Sequence, residues 1–269
     1  MKIGIISLGL IGGSLFRCLA ETEHEIYAVT RNLKTIIEAR ELSNNVSEDI
    51  NTLKDCDVVF VASPINKTLQ ILNELNNVVK KDCIVLDCAS VKQFVMKQDY
   101  DFIFIGSHPM AGTEKNGYEN SFKELFVGAK WVLTPSKKAT EKNILLIEDI
   151  LEETGAEVII ADAQEHDEAV ALISHMPLLV SQALFKTAQN SELAMRLASS
   201  GFRDMTRLSM SNLEMARDMR EYNGQNITKS IDVLFKSLFE LNTPNDIKDF
   251  AEIKEARQKM YSSDGKNVF

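Results

Sequence analysis

The sequence is poor in the residues that would tie it to a metal, a membrane or a nucleic acid. Its four cysteines, Cys18, Cys56, Cys83 and Cys88, form no CxxC pair and sit in apolar or strand-like surroundings. That spacing argues against a metal site and against a disulfide framework. It fits buried free thiols in a reducing cytoplasm, the expected location. Lys and Arg number 30 against 39 Asp and Glu, which leaves a net charge of −9 and a pI near 5.1. A surface of that sign disfavours nucleic acid and anionic membrane as partners, so an anionic ligand must meet a local basic pocket. No apolar run of the roughly 18 residues that span a bilayer is read, and the first residues read as a strand rather than a leader peptide. Repeats and low-complexity tracts are absent from the sequence. Histidine is scarce as well, at four in 269 residues, so the setting of each one carries weight.

The hydrophobic residues, 45% of the chain, are enough for a sizeable core. Up to position 161 they fall into short runs separated by helical spacings. Residues 2–7 predict a strand, a glycine turn follows, and a helix runs from 12 to about 20. Strand-like runs recur in HEIYAV, DVVFVAS, CIVLD, DFIFIGS, KWVLTP and EVIIAD. Helical spacings lie between them, such as Leu69, Leu72, Leu75 and Val79. Runs apolar on both faces imply a parallel sheet covered by helices. Asp162, with Glu165 three later, then reads as a helix cap. Beyond it helices are expected across 169–185, 191–198, 212–241 and 244–261, with 262–269 as a frayed tail. The expected fold class is α/β: a Rossmann-like, doubly wound, mostly parallel sheet over 1–162, followed by an all-helical domain over 163–269. The stretch AVALISHMPLLVSQALF is apolar nearly all round, so it should be buried, and a homodimer is the expected means.

The turn SLGLIGGS, at 7–14, carries two glycines of a dinucleotide-binding fingerprint. Gly9 would let the backbone approach a pyrophosphate, and Gly12 would let the helix pack close to the strand. Ser7 stands where the first glycine belongs and must take up the turn at some conformational cost. Leu10 and Ile11 open the helix whose N-terminus would face the phosphates. The second strand ends in Thr30, Arg31 and Asn32 rather than in an acid. A carboxylate there would repel a 2′-phosphate, whereas Arg31 can pair with one, so NADP is favoured over NAD. The competing interpretation is that Arg31 is an ordinary solvated charge. Ser63 and Pro64 end the next long strand and complete the candidate cofactor contacts.

Ligands of open α/β sheets bind beyond the carboxyl ends of the strands. Two loops expected on that rim hold Ser90, in DCASVK, and His108, in GSHPMAG. A hydroxyl and an imidazole on adjacent loops suit proton removal from an alcohol during hydride transfer. Alone, each has a plainer explanation: a helix cap for Ser90, a satisfied structural histidine for His108.

Five blocks in order, GLIGGSL at 9–15, ASVK at 89–92, SHPMAGTEKNG at 107–117, HDEAVALISHMP at 166–177 and SSGFRDMTR at 199–207, resemble the prephenate/arogenate dehydrogenases of tyrosine biosynthesis. The resemblance covers nearly the whole chain. It implies that His108 assists deprotonation of a ring hydroxyl and that Ser90 orients both histidine and hydroxyl. It also implies that His175 lies in the substrate cleft and that Arg207 holds a substrate carboxylate. Arg203 is a second candidate for that carboxylate, with a structural ion pair as its alternative. Pro177 follows His175 within the helix, where it would free the carbonyl of Ile173 and kink the axis.

Two departures bear on specificity. The first fingerprint glycine is Ser7, and Leu178 stands where many prephenate-using members carry a further histidine. Leu178 and the VTRN segment together look more like NADP-dependent arogenate enzymes. The resemblance therefore implies arogenate dehydrogenase, with prephenate dehydrogenase or a dual-substrate cyclohexadienyl dehydrogenase as alternatives. Two rivals are a hydroxyacid dehydrogenase of similar build, which lacks the SHPMAG and FRDMTR blocks, and a non-catalytic NADP-binding sensor, which leaves Ser90, His108, His175 and Arg207 unexplained.

Overall fold

Short, mostly apolar runs build eight strands: β1 (Lys2–Ile6), β2 (Glu25–Val29), β3 (Val46–Ser47), β4 (Val58–Val61), β5 (Ile84–Asp87), β6 (Ile103–Pro109), β7 (Lys130–Pro135) and β8 (Glu157–Ile160). The helices between and after them are α1 (Leu10–Leu19), α2 (Leu33–Ala39), α3 (Ile65–Leu75), α4 (Gln93–Met96), α5 (Glu141–Glu152), α6 (Ala163–Val170), α7 (Met176–Ala188), α8 (Glu192–Leu197), α9 (Ser200–Thr206), α10 (Leu213–Asn242) and α11 (Lys248–Met260). The structure is a computed structural model and describes residues 1–113, 115–243 and 248–261.

The strands form one sheet in the order β3-β2-β1-β4-β5-β6-β7-β8. Pairing is parallel throughout except between β6 and β7, which run antiparallel. This is the doubly wound, mostly parallel α/β sheet expected from the sequence. Strand alternation divides the core in two. Ile3, Ile5, Val58, Phe60, Ile84 and Leu86 enter one face with Leu15, Phe16 and Leu19 of α1. Val59, Val61 and Val85 enter the other with Ile71, Leu72 and Leu75 of α3. Each such side chain contributes about 1.5–3 kcal/mol when fully buried, so neither face can be left to water. The strand order reverses between β1 and β4, which places the ligand crevice at their carboxyl ends. Strand β3, two residues long, is too short to show alternation and was not legible in the sequence.

Asp162 caps α6 by accepting from Gln164 N, as read from the sequence. Helix α1 opens at Leu10, two residues before the expected start, with Gly9 as its N-cap. Helix α9 was not anticipated. The start expected at 244 and the tail at 262–269 lie outside the described residues.

The helical run Ala163–Ala188 is continuous but not uniform. Proline has no N–H to donate, and the turn preceding Pro177 widens into a π-helix over Ala171–His175. The kink expected at this proline therefore takes the form of a π turn. One expectation about this run is corrected. It is 26 residues long with a window of mean hydropathy 1.4, long and apolar enough by length and composition to cross a membrane, which the sequence reading had denied. Within one chain it is largely uncovered, Leu172 and Ile173 being 47% and 65% exposed, which leaves its expected burial to the homodimer. Its first turns carry Glu165, His166, Asp167 and Glu168, and the middle two are buried against polar partners. That is unlike a lipid-facing segment.

The chain forms two compact units, Met1–Ile227 and Thr228–Phe269. The first holds the sheet, helices α1–α9 and the first half of α10. The second holds the remainder of α10 and α11, on which Phe235, Phe239 and Phe250 are exposed.

Candidate active site

The turn after β1 is built around two residues. Ser7 has φ of 72°, and it is the one non-glycine residue with positive φ among those described. Its N–H donates to Val29 O at 2.8 Å, and its carbonyl accepts from Gly9 N at 3.1 Å. A Cβ added at Gly12 would lie 2.1 Å from Ser7 O and 2.9 Å from Ala62 Cβ, so only glycine fits. A Cβ at Gly9 would meet nothing within 4 Å. No side chain caps α1, which leaves its first-turn N–H groups, at Leu10, Ile11 and Gly12, for a ligand. A closed contact at Gly12 beneath open space at Gly9 fits a dinucleotide pyrophosphate.

Beside the turn is a cavity of about 560 Å³ lined by Ser7, Gly9, Thr30, Arg31 and Asn32. Glu48, Asp49 and Glu74 line it too, and the sequence reading missed these acids. Asn32 Oδ1 is engaged as the cap of α2, accepting from Lys34 N and Thr35 N. Leu10, Ile11, Gly12, Ser63 and Pro64 do not line the cavity. Ser63 is buried with its hydroxyl 3.1 Å from that of Thr68, and Pro64 is the N-cap of α3.

His108 is not in a loop, as the sequence suggested, but on β6, paired with Val132 of β7. The antiparallel ladder with β7 carries the strand on to Pro109. On the other edge, pairing with β5 ends at Ile105. There Asp87 and Lys92, an ion pair with both side chains fully buried, take over the strand's role. Asp87 Oδ1 accepts from Ser107 N at 3.0 Å, and Lys92 Nζ donates to Ser107 O at 2.6 Å. The strand is thus held on both edges at the histidine, by Asp87 and Lys92 at Ser107 and by β7 at His108.

The ring of His108 finds a partner the sequence did not suggest. Its Nδ1 lies 2.9 Å from His166 Nε2, and His166 Nδ1 lies 2.8 Å from Asp167 Oδ1. Asp167 accepts in turn from the backbone N–H groups of Lys92 and Gln93, at 2.7 and 2.9 Å. The Ser90 hydroxyl is buried and makes no hydrogen bond among the described residues. Within the chain the partner of the His108 ring is His166, not Ser90. Burial above all, then the fields of His166, Lys92 and His175, push His108 well below the usual imidazole range. It is a neutral base.

His175 ends the π turn, 1% exposed. Asn223 Nδ2 lies 3.1 Å from its Nδ1 and donates to Asp167 O at 2.8 Å. Asn226 Nδ2 donates to Asn223 Oδ1, which fixes which way the Asn223 amide points. An amide nitrogen only donates, so His175 Nδ1 accepts and Nε2 carries the proton. That N–H is buried and has no partner among the described residues. Burial lowers the His175 pKa to about 4, with Asp167 opposing the shift and His166 adding to it. Asn223 can reach both groups because α10 breaks there, at φ −126° and ψ 16°. Leu178 is buried.

Arg203 and Arg207 stand apart. They line a cavity of about 650 Å³ with Gln182, Lys186 and Asp204, and neither Ser90, His108 nor His175 lines it. Arg203 makes an exposed contact with Asp204 at 3.3 Å, its alternative interpretation. Within one chain the structure gathers His108, His166, Asp167, His175 and Asn223 but does not bring Arg207 to them. Of these, His166, Asp167 and Asn223 were missed, as was the ion pair of Asp87 and Lys92. The signals in the sequence were the HD dipeptide that opens the block at 166–177 and the lysine that ends the block at 89–92.

Residues 18–160 match the model of the prephenate dehydrogenase nucleotide-binding domain, and residues 162–256 that of the prephenate dehydrogenase dimerization domain. A cyclohexadienyl dehydrogenase of Zymomonas mobilis is 31% identical over 90% of this chain and 87% of its own length. The crystal structure of Synechocystis arogenate dehydrogenase superposes with a TM-score of 0.83 at 33% identity, covering 97% of each chain. Prephenate dehydrogenase from A. aeolicus, in complex with hydroxyphenyl propionate and NAD+, gives 0.80 at 28%, covering 96% of this chain and 92% of that one.

Proposed function

The chain belongs to the prephenate dehydrogenase family of NAD(P)-dependent oxidative decarboxylases, and on that footing we propose that it oxidises arogenate to tyrosine with NADP. Residues 1–162 carry the nucleotide and 163–269 complete the cleft and the homodimer. The observation that carries the reading is a neutral imidazole, His108, held on a strand end at the nucleotide rim.

The substrate class is a cyclohexadienol with a carboxylate on the ring carbon opposite its hydroxyl. The hydroxyl proton moves to His108. The bond to the ring carboxylate breaks, CO2 leaves, and the electron pair passes through the ring, now aromatic, to the oxygen, which takes the proton back from His108. The nicotinamide cofactor, when bound, supplies the acceptor for the hydride of the hydroxyl-bearing carbon. Ser90, with its hydroxyl buried and unpaired, is available to the substrate hydroxyl. His175 presents a neutral N–H donor to a substrate oxygen. Arg207 and Arg203 line a separate cavity within one chain, so their pairing with a substrate carboxylate requires the homodimer to bring them to the cleft. The exposed apolar side chains of the 163–188 run, Leu172 and Ile173 among them, support a homodimer.

Arg31, Thr30 and the buried Leu178 support NADP and arogenate. A second reading of the cofactor, NAD, is favoured by Glu48, Asp49 and Glu74, whose carboxylates share the cavity with Arg31 and oppose a 2′-phosphate; prephenate remains the alternative substrate. Steady-state kinetics with arogenate and prephenate, each against NAD and NADP, decide between them. The expected result is the highest kcat/KM for arogenate with NADP. A tenfold advantage for prephenate or for NAD replaces that half of the assignment. Arg207→Gln is expected to raise KM at least tenfold with a smaller change in kcat. An unchanged KM removes Arg207 from the site.

A further inference from the structure

Asp167, His166 and His108 form a hydrogen-bonded chain whose donor order can be worked out from one end. A carboxylate only accepts, and both oxygens of Asp167 are held by the N–H groups of Lys92 and Gln93. Its side chain therefore cannot turn away from His166. At 2.8 Å from Asp167 Oδ1, His166 Nδ1 must carry a proton. A neutral His166 then has a bare Nε2, and this atom lies 2.9 Å from His108 Nδ1. The proton between the two rings belongs to His108, and His108 Nε2 is left with an open lone pair.

We infer that His166 and Asp167 are positioning residues that set the ring orientation and tautomer of His108, so that Nε2 is the atom that takes the proton. The opposite tautomer would place a proton on Nε2 and leave nothing there to accept another. His166 and Asp167 are 3% and 1% exposed, so water does not compete for these hydrogen bonds. The proton balance is simple. The substrate O–H bond breaks and an N–H bond forms at His108 Nε2. The Nδ1 proton stays where it was, still donated to His166, and the Asp167 charge lies one ring beyond. Where an imidazole base is held in the wrong tautomer, turnover falls on the order of 10⁴-fold. The plainer alternative is that Asp167 only pins α4 and His166 only fills the core.

The inference rests on the reading of His108 as the proton acceptor, but the tautomer can be measured without turnover. With four histidines in the chain, nitrogen-15 NMR of the labelled full-length protein resolves each ring, assigned by single His→Gln variants. The wild type is expected to show His108 protonated on Nδ1 and bare on Nε2 near neutral pH. In His166→Phe the tautomer should shift towards Nε2–H, with kcat falling by about two to four orders of magnitude. In His166→Gln, whose amide oxygen can accept from His108 Nδ1, the original tautomer and most of the rate should return. A wild-type His108 protonated on Nε2, a doubly protonated His166, or an unchanged His108 tautomer in His166→Phe overturns the inference. If His166→Phe does not fold, the wild type and His166→Gln still decide. Expected tautomers in a wild type that turns over neither substrate support the hydrogen-bond order and count against the proposed reaction alone.

Discussion

Asn223 holds two groups with one amide nitrogen, the carbonyl of Asp167 at 2.8 Å and Nδ1 of His175 at 3.1 Å. The second contact decides which atom of His175 faces a ligand. Asn223→Leu removes it, so His175 loses its fixed tautomer. One neutral hydrogen bond is worth about 0.5–1.5 kcal/mol, so KM should rise about 2- to 10-fold while kcat changes less. A KM equal to wild type would show that His175 does not depend on Asn223.

His175 also makes stability depend on pH. Its folded pKa of about 4 lies below the ordinary imidazole value of 6.5, so the unfolded chain takes up the proton first. The contribution is complete above pH 6.5 and is lost as pH falls towards 4, up to about 3 kcal/mol over that window. Urea denaturation of wild type and His175→Gln across this range should show a shallower acid decline in the variant. Parallel declines would refute the assignment.

His108→Ala should lower kcat by about two to four orders of magnitude, with little effect on substrate affinity. Because the ring is held well below the usual imidazole range, it stays an acceptor in mildly acidic solution. The acid limb of kcat/KM should therefore lie below 6.5, leaving activity nearly flat from pH 8 down to that value. A limb centred at or above 6.5 would contradict the desolvation of this ring.

Ser7→Gly should stabilise the protein by about 1 kcal/mol, because serine is held at φ of 72° and glycine is not strained there. Gly12→Ala should do the reverse, since its Cβ would sit 2.1 Å from Ser7 O. Nucleotide affinity, measured by calorimetry, should fall at least tenfold in Gly12→Ala. Equal affinity would mean that the turn does not carry the pyrophosphate.

Lys92→Met leaves Asp87 charged in a fully buried setting. Breaking such a pair costs about 3–5 kcal/mol, and the double variant with Asp87→Asn should recover part of it. Denaturation midpoints of the single and double variants test this directly. A loss below 1 kcal/mol for Lys92→Met would show that the pair does not hold β6.

The sheet was legible in the sequence because β1, β4 and β5 are apolar on both faces, and the glycine turn because Gly9 and Gly12 stand at their spacing. What was hidden depends on contacts distant along the chain. His108 reads as a loop residue until β7 is seen to pair antiparallel and carry β6 through Pro109. His166 and Asp167 read as the acidic first turn of a helix, and their partners lie 58 and 75 residues away. Asn223 lies within a long polar helix whose break is not marked by proline. Ser90 shows the reverse: its motif was plain, yet its hydroxyl does not meet the imidazole.

An imidazole mounted on a strand that is held on one edge by β7 and on the other by Asp87 and Lys92 is a fixed post. It has no loop to swing on, and its height above the sheet is set by the register of Val132 and by the Asp87 carboxylate. Admission of substrate and departure of product must then be timed by the helices that face it. Substitutions that alter turnover from a distance should accordingly cluster there, and the sheet itself should be intolerant of change but kinetically silent.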